Sequence, residues 1–245
     1  MAPFTNQTIL ITGGASGIGL ALAQRFLNAN NTVIICGRRA DKLLEAKMKF
    51  PQLHTRVCDV AVESERVALV EWATSAFPKL NVIVNNAGVQ RRVKLSESKN
   101  WDQSEIAINL EAPMHLCMLF ATHLSKQNES SIINVTSGLA FAPLAAIPIY
   151  CATKAAMHSF TLSLRHQFAA LSNPIKVFEI LPPAVNTDLG GVGLHTFGMP
   201  LDEFADAVFA KLRNGEIEIA HGFATEAKSA TPEKLVQIFD RMNSR

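Results

Sequence analysis

Seven short apolar runs, separated by longer stretches with helical spacing, set the strongest limit on how this chain folds. Thr8–Thr12, Thr32–Cys36, Thr55–Val60, Asn81–Val84, Ser131–Thr136, Ile175–Leu181 and Glu216–Ala220 read as strands. Gly17–Ala29, Asp41–Phe50, Glu63–Phe77, Glu97–Lys126, Pro148–Leu171 and Leu201–Arg213 read as helical, with Leu22, Phe26 and Leu27 forming one apolar stripe. A last helix, Pro232–Met242, starts on proline after Thr231, which fits an N-cap. Strands that are nearly all apolar are buried on both faces, and helical crossovers make neighbouring strands parallel. The pattern predicts an α/β fold: a doubly wound, mostly parallel, seven-stranded sheet with helices on both faces. There is no repeat, low-complexity tract or Pro/Gly/Ser linker, so residues 1–245 are expected to form a single domain.

Composition narrows the functional classes. Lys and Arg number 23 against 21 Asp and Glu, a net charge of +2, which excludes nucleic acid or an anionic membrane as the main expected partner. Cys36, Cys58, Cys117 and Cys151 form no CxxC pair and no metal-type spacing, so they are expected to be reduced thiols, with no metal site. Residues 1–7 lack a basic cluster ahead of an apolar run, and the C-terminal MNSR is no anchor; a cytoplasmic protein is expected. Ser130–Thr153 carries no charge, but Asn134, Gly138, Pro143 and Pro148 make it a buried strand followed by a loop rather than a membrane span.

In a doubly wound sheet, ligands sit beyond the carboxyl ends of the strands. The first predicted strand ends in Thr12-Gly13-Gly14-Ala15-Ser16-Gly17-Ile18-Gly19 and runs into a helix. Gly13, Gly17 and Gly19 allow a sharp turn and close backbone approach to a pyrophosphate, and the helix start offers free N–H groups from Ser16 to Ile18. The spacing differs from GxGxxG, and a plain glycine-rich turn is the bland alternative. After the second strand, where an acid would meet a ribose 2′-hydroxyl, the chain has Arg38 and Arg39 instead. Two guanidiniums suit a 2′-phosphate, so the expected cofactor is NADP(H), with Arg38 on the phosphate and Arg39 beside the adenine. Asp59-Val60 closes the third strand near the adenine, and Asn86-Ala87-Gly88 follows the fourth beside the ribose.

Tyr150 is the only tyrosine, and Lys154 follows it at i+4 on the same helix face. Ser137 ends the fifth strand, 13 residues earlier. Reduction of a carbonyl needs a proton as the hydride arrives. A phenol near ~10 matches neutral pH poorly, and a neighbouring ammonium is expected to lower that value. Ser137 is placed to hold the carbonyl oxygen. Each residue alone reads as an ordinary core or turn residue; their joint placement after the glycine turn points to a site.

These motifs together (Thr12–Gly19 as TGxxxGxG, NNAG at 85–88, Asn109 in INL, Ser137, and Tyr150-x-x-x-Lys154) resemble the short-chain dehydrogenase/reductase family over about residues 7–187. The resemblance implies a Rossmann-type domain in which Tyr150 is the acid/base and Lys154 tunes it and binds the nicotinamide ribose. It implies that Ser137 orients the substrate oxygen and that Asn109 holds a relay water. Asn86, Ala87, Gly88, Asp59 and Val60 then border the cofactor, Val185 and Thr187 meet the carboxamide, and the basic residue after the second strand matches the NADP-preferring branch. Dimers or tetramers through helices around 97–127 and 150–171 are also implied. One position departs: Pro182-Pro183-Ala184-Val185-Asn186-Thr187 has Pro183 where the family commonly has glycine, stiffening the turn and removing a donor. With Ser137-Gly138-Leu139-Ala140-Phe141, this form resembles a subgroup of oxidoreductases whose substrates are mostly unassigned.

Leu139–Ile147 and the glycine-rich Leu189–Pro200 are expected to flank the reacting carbon, with about 188–200 as a lid over an apolar carbonyl or alcohol substrate. His195, Arg91 and Arg92 are expected to be ordinary loop residues. The alternative is a non-catalytic, dinucleotide-binding redox sensor on the same fold, against which the intact Ser137, Tyr150, Lys154 and Asn109 argue.

Overall fold

Every predicted strand forms, and together they make one parallel sheet in the order β3-β2-β1-β4-β5-β6-β7. The computed structural model describes residues 4–97 and 102–244. The strands are β1 (Thr8–Thr12), β2 (Thr32–Gly37), β3 (His54–Val57), β4 (Leu80–Asn85), β5 (Ser131–Val135), β6 (Lys176–Leu181) and β7 (Glu218–Ala220). The helices are α1 (Gly17–Asn28), α2 (Ala40–Lys49), α3 (Glu63–Ala76), α4 (Ser104–Ile106), α5 (Ala112–Leu124), α6 (Pro148–Ala169), α7 (Leu201–Arg213), α8 (Phe223–Ser229) and α9 (Pro232–Asn243).

The two-residue period of a strand divides the core. Ile9, Ile11, Val33, Ile35 and Ile133 point to one face, where Leu22 and Phe26 of α1 and Phe204 and Val208 of α7 cover them. Leu10, Ile34, Ile83 and Ile132 point to the other, beneath Leu69 of α3, Leu116 and Phe120 of α5, and Leu164 of α6. This is the doubly wound architecture that the apolar runs predict. The chain reverses its direction of strand addition between β1 and β4, so the loops after these two strands part and leave a crevice at their carboxyl ends.

Three local features differ from the sequence reading. β3 stops at Val57 rather than Val60, and three of its four residues are exposed. It is an edge strand whose pairing ends as Cys58 donates to the Gly37 carbonyl at 3.0 Å; Asp59 then accepts from Ala61 N–H at 3.0 Å and turns the chain toward α3. The long helical region predicted over 97–126 is α4, a π-helical turn at Ala107–Glu111, and α5; its residues 98–101 lie outside those described. The short α8 has no counterpart in the sequence reading. Thr231 does cap α9, accepting from Lys234 N–H at 3.3 Å. Among the described residues no helix is long and apolar enough to cross a membrane.

Candidate active site

A cavity of about 820 Å³ runs along the crevice from Arg38 and Arg39 to Tyr150 and Lys154. At its centre the β1–α1 turn is held by backbone conformations that suit glycine: Gly13 has φ +62° and Gly17 φ +52°. A Cβ on Gly13 would lie 2.8 Å from Ala87 Cα, so the turn and the Asn86-Ala87-Gly88 segment meet backbone to backbone. Asn86 and Thr12 secure that contact. Asn86 Nδ2 donates to the carbonyls of Thr12 (3.0 Å) and Gly13 (3.1 Å), while Thr12 Oγ1 accepts from the N–H groups of Asn86 (3.0 Å) and Ala87 (3.1 Å). The Asn86 amide expected beside a ribose is thus committed to the glycine turn. Ser16 is the α1 N-cap yet makes no capping bond, and the first turn holds no acid, so the helix start presents free N–H groups to the cavity.

Most of the predicted binding residues line this cavity: Gly13, Ser16, Gly17, Ile18, Arg38, Arg39, Asp59, Val60, Asn86, Ala87, Gly88 and Thr187. Both arginines are exposed at its mouth, and Arg39 Nη2 reaches Ser16 Oγ at 3.3 Å. Gly19, Val185, Ser137 and Asn109 are absent from the lining. A Cβ on Gly19 would fall 2.5 Å from Asn86 Nδ2, which places Gly19 behind the turn, and Val185 is a core residue paired with Met199.

At the other end Tyr150, Lys154 and Ser137 converge, each at most 7% exposed. The i,i+4 spacing on α6 sets Lys154 Nζ 5.6 Å from the Tyr150 ring centroid, and the ammonium donates to the Val135 carbonyl at 2.8 Å. Ser137 leaves β5 extended and accepts from Leu139 N–H at 3.1 Å. Burial pushes the Tyr150 phenol well above its ordinary value, a hydrogen bond with Ser137 pulls it back, and the negative charges of Cys151 and Glu105 add to the rise. Burial alone lowers Lys154 itself to about 8. Asn109 lies in the π-helical turn; its Oδ1 accepts from Val89 N–H and its Nδ2 donates to Val89 O, both at 2.8 Å, with Thr153 Oγ1 at 3.3 Å. Asn109 Oδ1 and Lys154 Nζ flank Gly88, 3.5 and 3.9 Å from where a Cβ would stand.

Several neighbours escape a sequence reading. Lys42, one turn into α2, joins the two arginines along the cavity; its spacing from Arg38 was a usable signal. Glu105 is 1% exposed, accepts from Arg91 N–H at 3.1 Å and is pushed up by burial, with no local motif to announce it. Leu139, Leu144 and Leu189 pack against the cluster of Ile147, Tyr150 and Cys151, and Leu189 also lines the cavity. Arg91 pairs with Asp102, and His195 Nδ1 is buried with no hydrogen-bond partner among the described residues. Among those residues no cluster of His, Cys, Asp and Glu could hold a metal.

Comparisons with known proteins bear on the family and the fold. The family model for short chain dehydrogenases matches residues 7–192. DltE, an uncharacterized oxidoreductase of Bacillus subtilis, is 47% identical over 98% of this chain and 98% of its own length. A tropinone reductase homolog of Datura stramonium is 33% identical over 75% of this chain and 70% of its own. A short chain dehydrogenase from Burkholderia cenocepacia in complex with NADP superposes with a TM-score of 0.83 at 22% identity, covering 98% of each chain. A short chain dehydrogenase/reductase from Burkholderia phymatum in complex with NAD gives 0.86 at 21% identity, covering 97% of this chain and 96% of that one. At such identities the two structures speak for the fold alone.

Proposed function

The chain belongs to the short-chain dehydrogenase family of oxidoreductases, and on that premise we propose that it reduces the carbonyl group of a small apolar substrate with NADPH, Tyr150 serving as the acid. The observation that carries the reading is a cavity lined at one end by Tyr150 and Lys154, with Ser137 beside Tyr150, and at the other by Arg38, Arg39 and Lys42. The cavity fits a dinucleotide. It is long enough to join both ends, Gly17 leaves open the place a side chain would fill, and the α1 N-terminus has donors to spare for a pyrophosphate.

When bound, NADPH supplies the hydride. Arg38, with Lys42 beside it, holds the 2′-phosphate, and Arg39 covers the adenine between the glycine turn and Asp59-Val60. Lys154 and Asn86-Ala87-Gly88 border the nicotinamide ribose, and Thr187 meets the carboxamide, with Val185 behind it. Ser137 Oγ holds the substrate oxygen, and Tyr150 Oη, kept protonated by burial, gives that oxygen its proton. Asn109 fixes Val89 and, across Gly88, the approach to Lys154, through which the proton is replaced. Leu139, Leu144 and Leu189 exclude water, and 188–200 acts as the lid. Pairing of subunits would use α5 and α6, whose outer faces expose Met118 and Leu162.

The test is NADPH absorbance in the presence of a panel of aldehydes, diketones and ketosteroids, with Tyr150→Phe as control. Turnover by the native chain and its loss in Tyr150→Phe, with NADPH still bound, support the reading. Equal turnover in both refutes the acid, and no affinity for NADPH refutes the cofactor.

A further inference from the structure

A buried acid outside the cavity chemistry ties together the two elements that carry the hydroxyl groups. Glu179 of β6 is fully buried in an otherwise apolar strand interior, Val-Phe-Glu-Ile-Leu. Its Oε1 accepts from Thr136 Oγ1 at 2.6 Å, and His158 Nδ1 stands 3.0 Å from both carboxylate oxygens. Thr136 immediately precedes Ser137, and its N–H is fixed to the Ile180 carbonyl at 2.9 Å. His158 lies one turn beyond Lys154 and two beyond Tyr150 on α6. Its ring packs at 60° against Phe141, with centroids 4.7 Å apart, and Phe141 ends the turn that follows Ser137.

A buried ion pair is a weak source of stability, since well-packed apolar residues of the same volume do as well or better. A carboxylate at this depth therefore needs another reason, and its partners supply one. Thr136 sets the strand end that bears Ser137, and His158 sets the helix that bears Tyr150. The pair also stands in a charged setting: Glu218 of β7 favours protonated His158 with Glu179, while Arg165 of α6 opposes it.

We propose that Glu179, together with His158, is a positioning residue that fixes the Ser137 hydroxyl against the Tyr150 phenol. The proposal rests on the function proposed above. Displacing a reacting group by roughly 1 Å costs about 100-fold in rate, so loosening this brace is expected to lower kcat by about 10- to 100-fold.

Thr136→Val keeps the shape of the side chain and removes its donor; Thr136→Ser keeps the donor. Tyr150 is the only tyrosine, so carbon-labelled tyrosine gives a single phenol resonance that reports the setting of the phenol beside Ser137, without substrate or cofactor. Thr136→Val is expected to move that resonance and reduce kcat on the best carbonyl of the panel, with NADPH affinity unchanged and Thr136→Ser restoring both. His158→Phe is expected to do the same, and the double variant is expected to be no worse than the poorer single one. If Thr136→Val does not fold, His158→Phe carries the same test from the rim of the brace. An unmoved resonance with native kcat, or losses that Thr136→Ser does not rescue, overturns the proposal. Loss of turnover in Tyr150→Phe beside native turnover in Thr136→Val sinks the brace alone; native turnover in Tyr150→Phe sinks the parent reading.

Discussion

Replacing Lys154 with methionine is expected to stabilise the cofactor-free chain at neutral pH while abolishing turnover. The ammonium is 5% exposed, and burial lowers its pKa from 10.5 to about 8. At about 1.4 kcal/mol per pH unit, that gap corresponds to roughly 3 kcal/mol by which the folded chain holds the proton less well than the unfolded one. Below pH 8 both states are protonated and the whole penalty is present. Between pH 8 and 10.5 the unfolded state binds more protons than the folded state, so stability rises with pH until the penalty is gone. Methionine occupies a similar volume without the charge, but leaves the Val135 carbonyl without its 2.8 Å donor, at a cost of about 1 kcal/mol. The net expectation is a gain of about 2 kcal/mol at pH 7 that becomes a loss of about 1 kcal/mol above pH 10.5. Urea unfolding of both chains at pH 7, 9 and 10.5 measures the difference directly. A methionine variant less stable than the native chain at pH 7, or a difference that does not change with pH, refutes the reasoning.

Two further substitutions probe the other end of the cavity. Thr12→Val leaves the part-buried N–H groups of Asn86 and Ala87 without their acceptor and is expected to cost about 1–3 kcal/mol in urea unfolding, with Thr12→Ser recovering most of it; a loss below about 0.5 kcal/mol would show that the staple is idle. Replacing Arg38 and Arg39 together by serine is expected to weaken NADPH binding by about 10- to 100-fold, measured by fluorescence titration, and to leave NADH binding nearly unchanged. Equal losses for the two nucleotides would remove the 2′-phosphate from the argument.

What could be read from the sequence was what physical chemistry makes local. The Tyr150–Lys154 pairing is legible because a helix repeats every 3.6 residues, and the glycine turn because Gly13 and Gly17 adopt conformations other residues avoid. Pairings between distant elements were not legible. Glu179, His158 and Thr136 lie on three elements, and a single acid in an apolar strand carries no pattern of its own. The seven-residue α8 is too short for periodicity; it is set by Gly222 at φ +54° and by the approach of Ala224, whose Cα would stand 2.8 Å from a Cβ on Gly138. The strand reading over Thr55–Val60 runs too far because Cys58 and Val60 are buried in the core with Leu10, Ile34 and Leu69, as strand residues are, although the pairing with β2 ends at Val57. The segment that carries Pro183 is held by Asn186 N–H on Met199 O and by Met199 N–H on Ala184 O, both at 2.9 Å.

The balance of forces on Tyr150 bears on the direction of the chemistry. A phenol buried beside an ammonium faces two opposed effects: low dielectric disfavours its anion, and a nearby positive charge favours it. Here burial wins, because the ammonium is itself desolvated, faces the Val135 carbonyl and stands 5.6 Å from the ring centroid. Ser137, a neutral hydroxyl, pulls the phenol down. A phenol held protonated in this way suits the proposed role of acid in carbonyl reduction. Alcohol oxidation would need the phenolate, and the positive charge of an oxidised nicotinamide is what would favour it. On the proposed function, the form of the nucleotide bound would then set the acid–base state of Tyr150, with Ser137 trimming the phenol in either case.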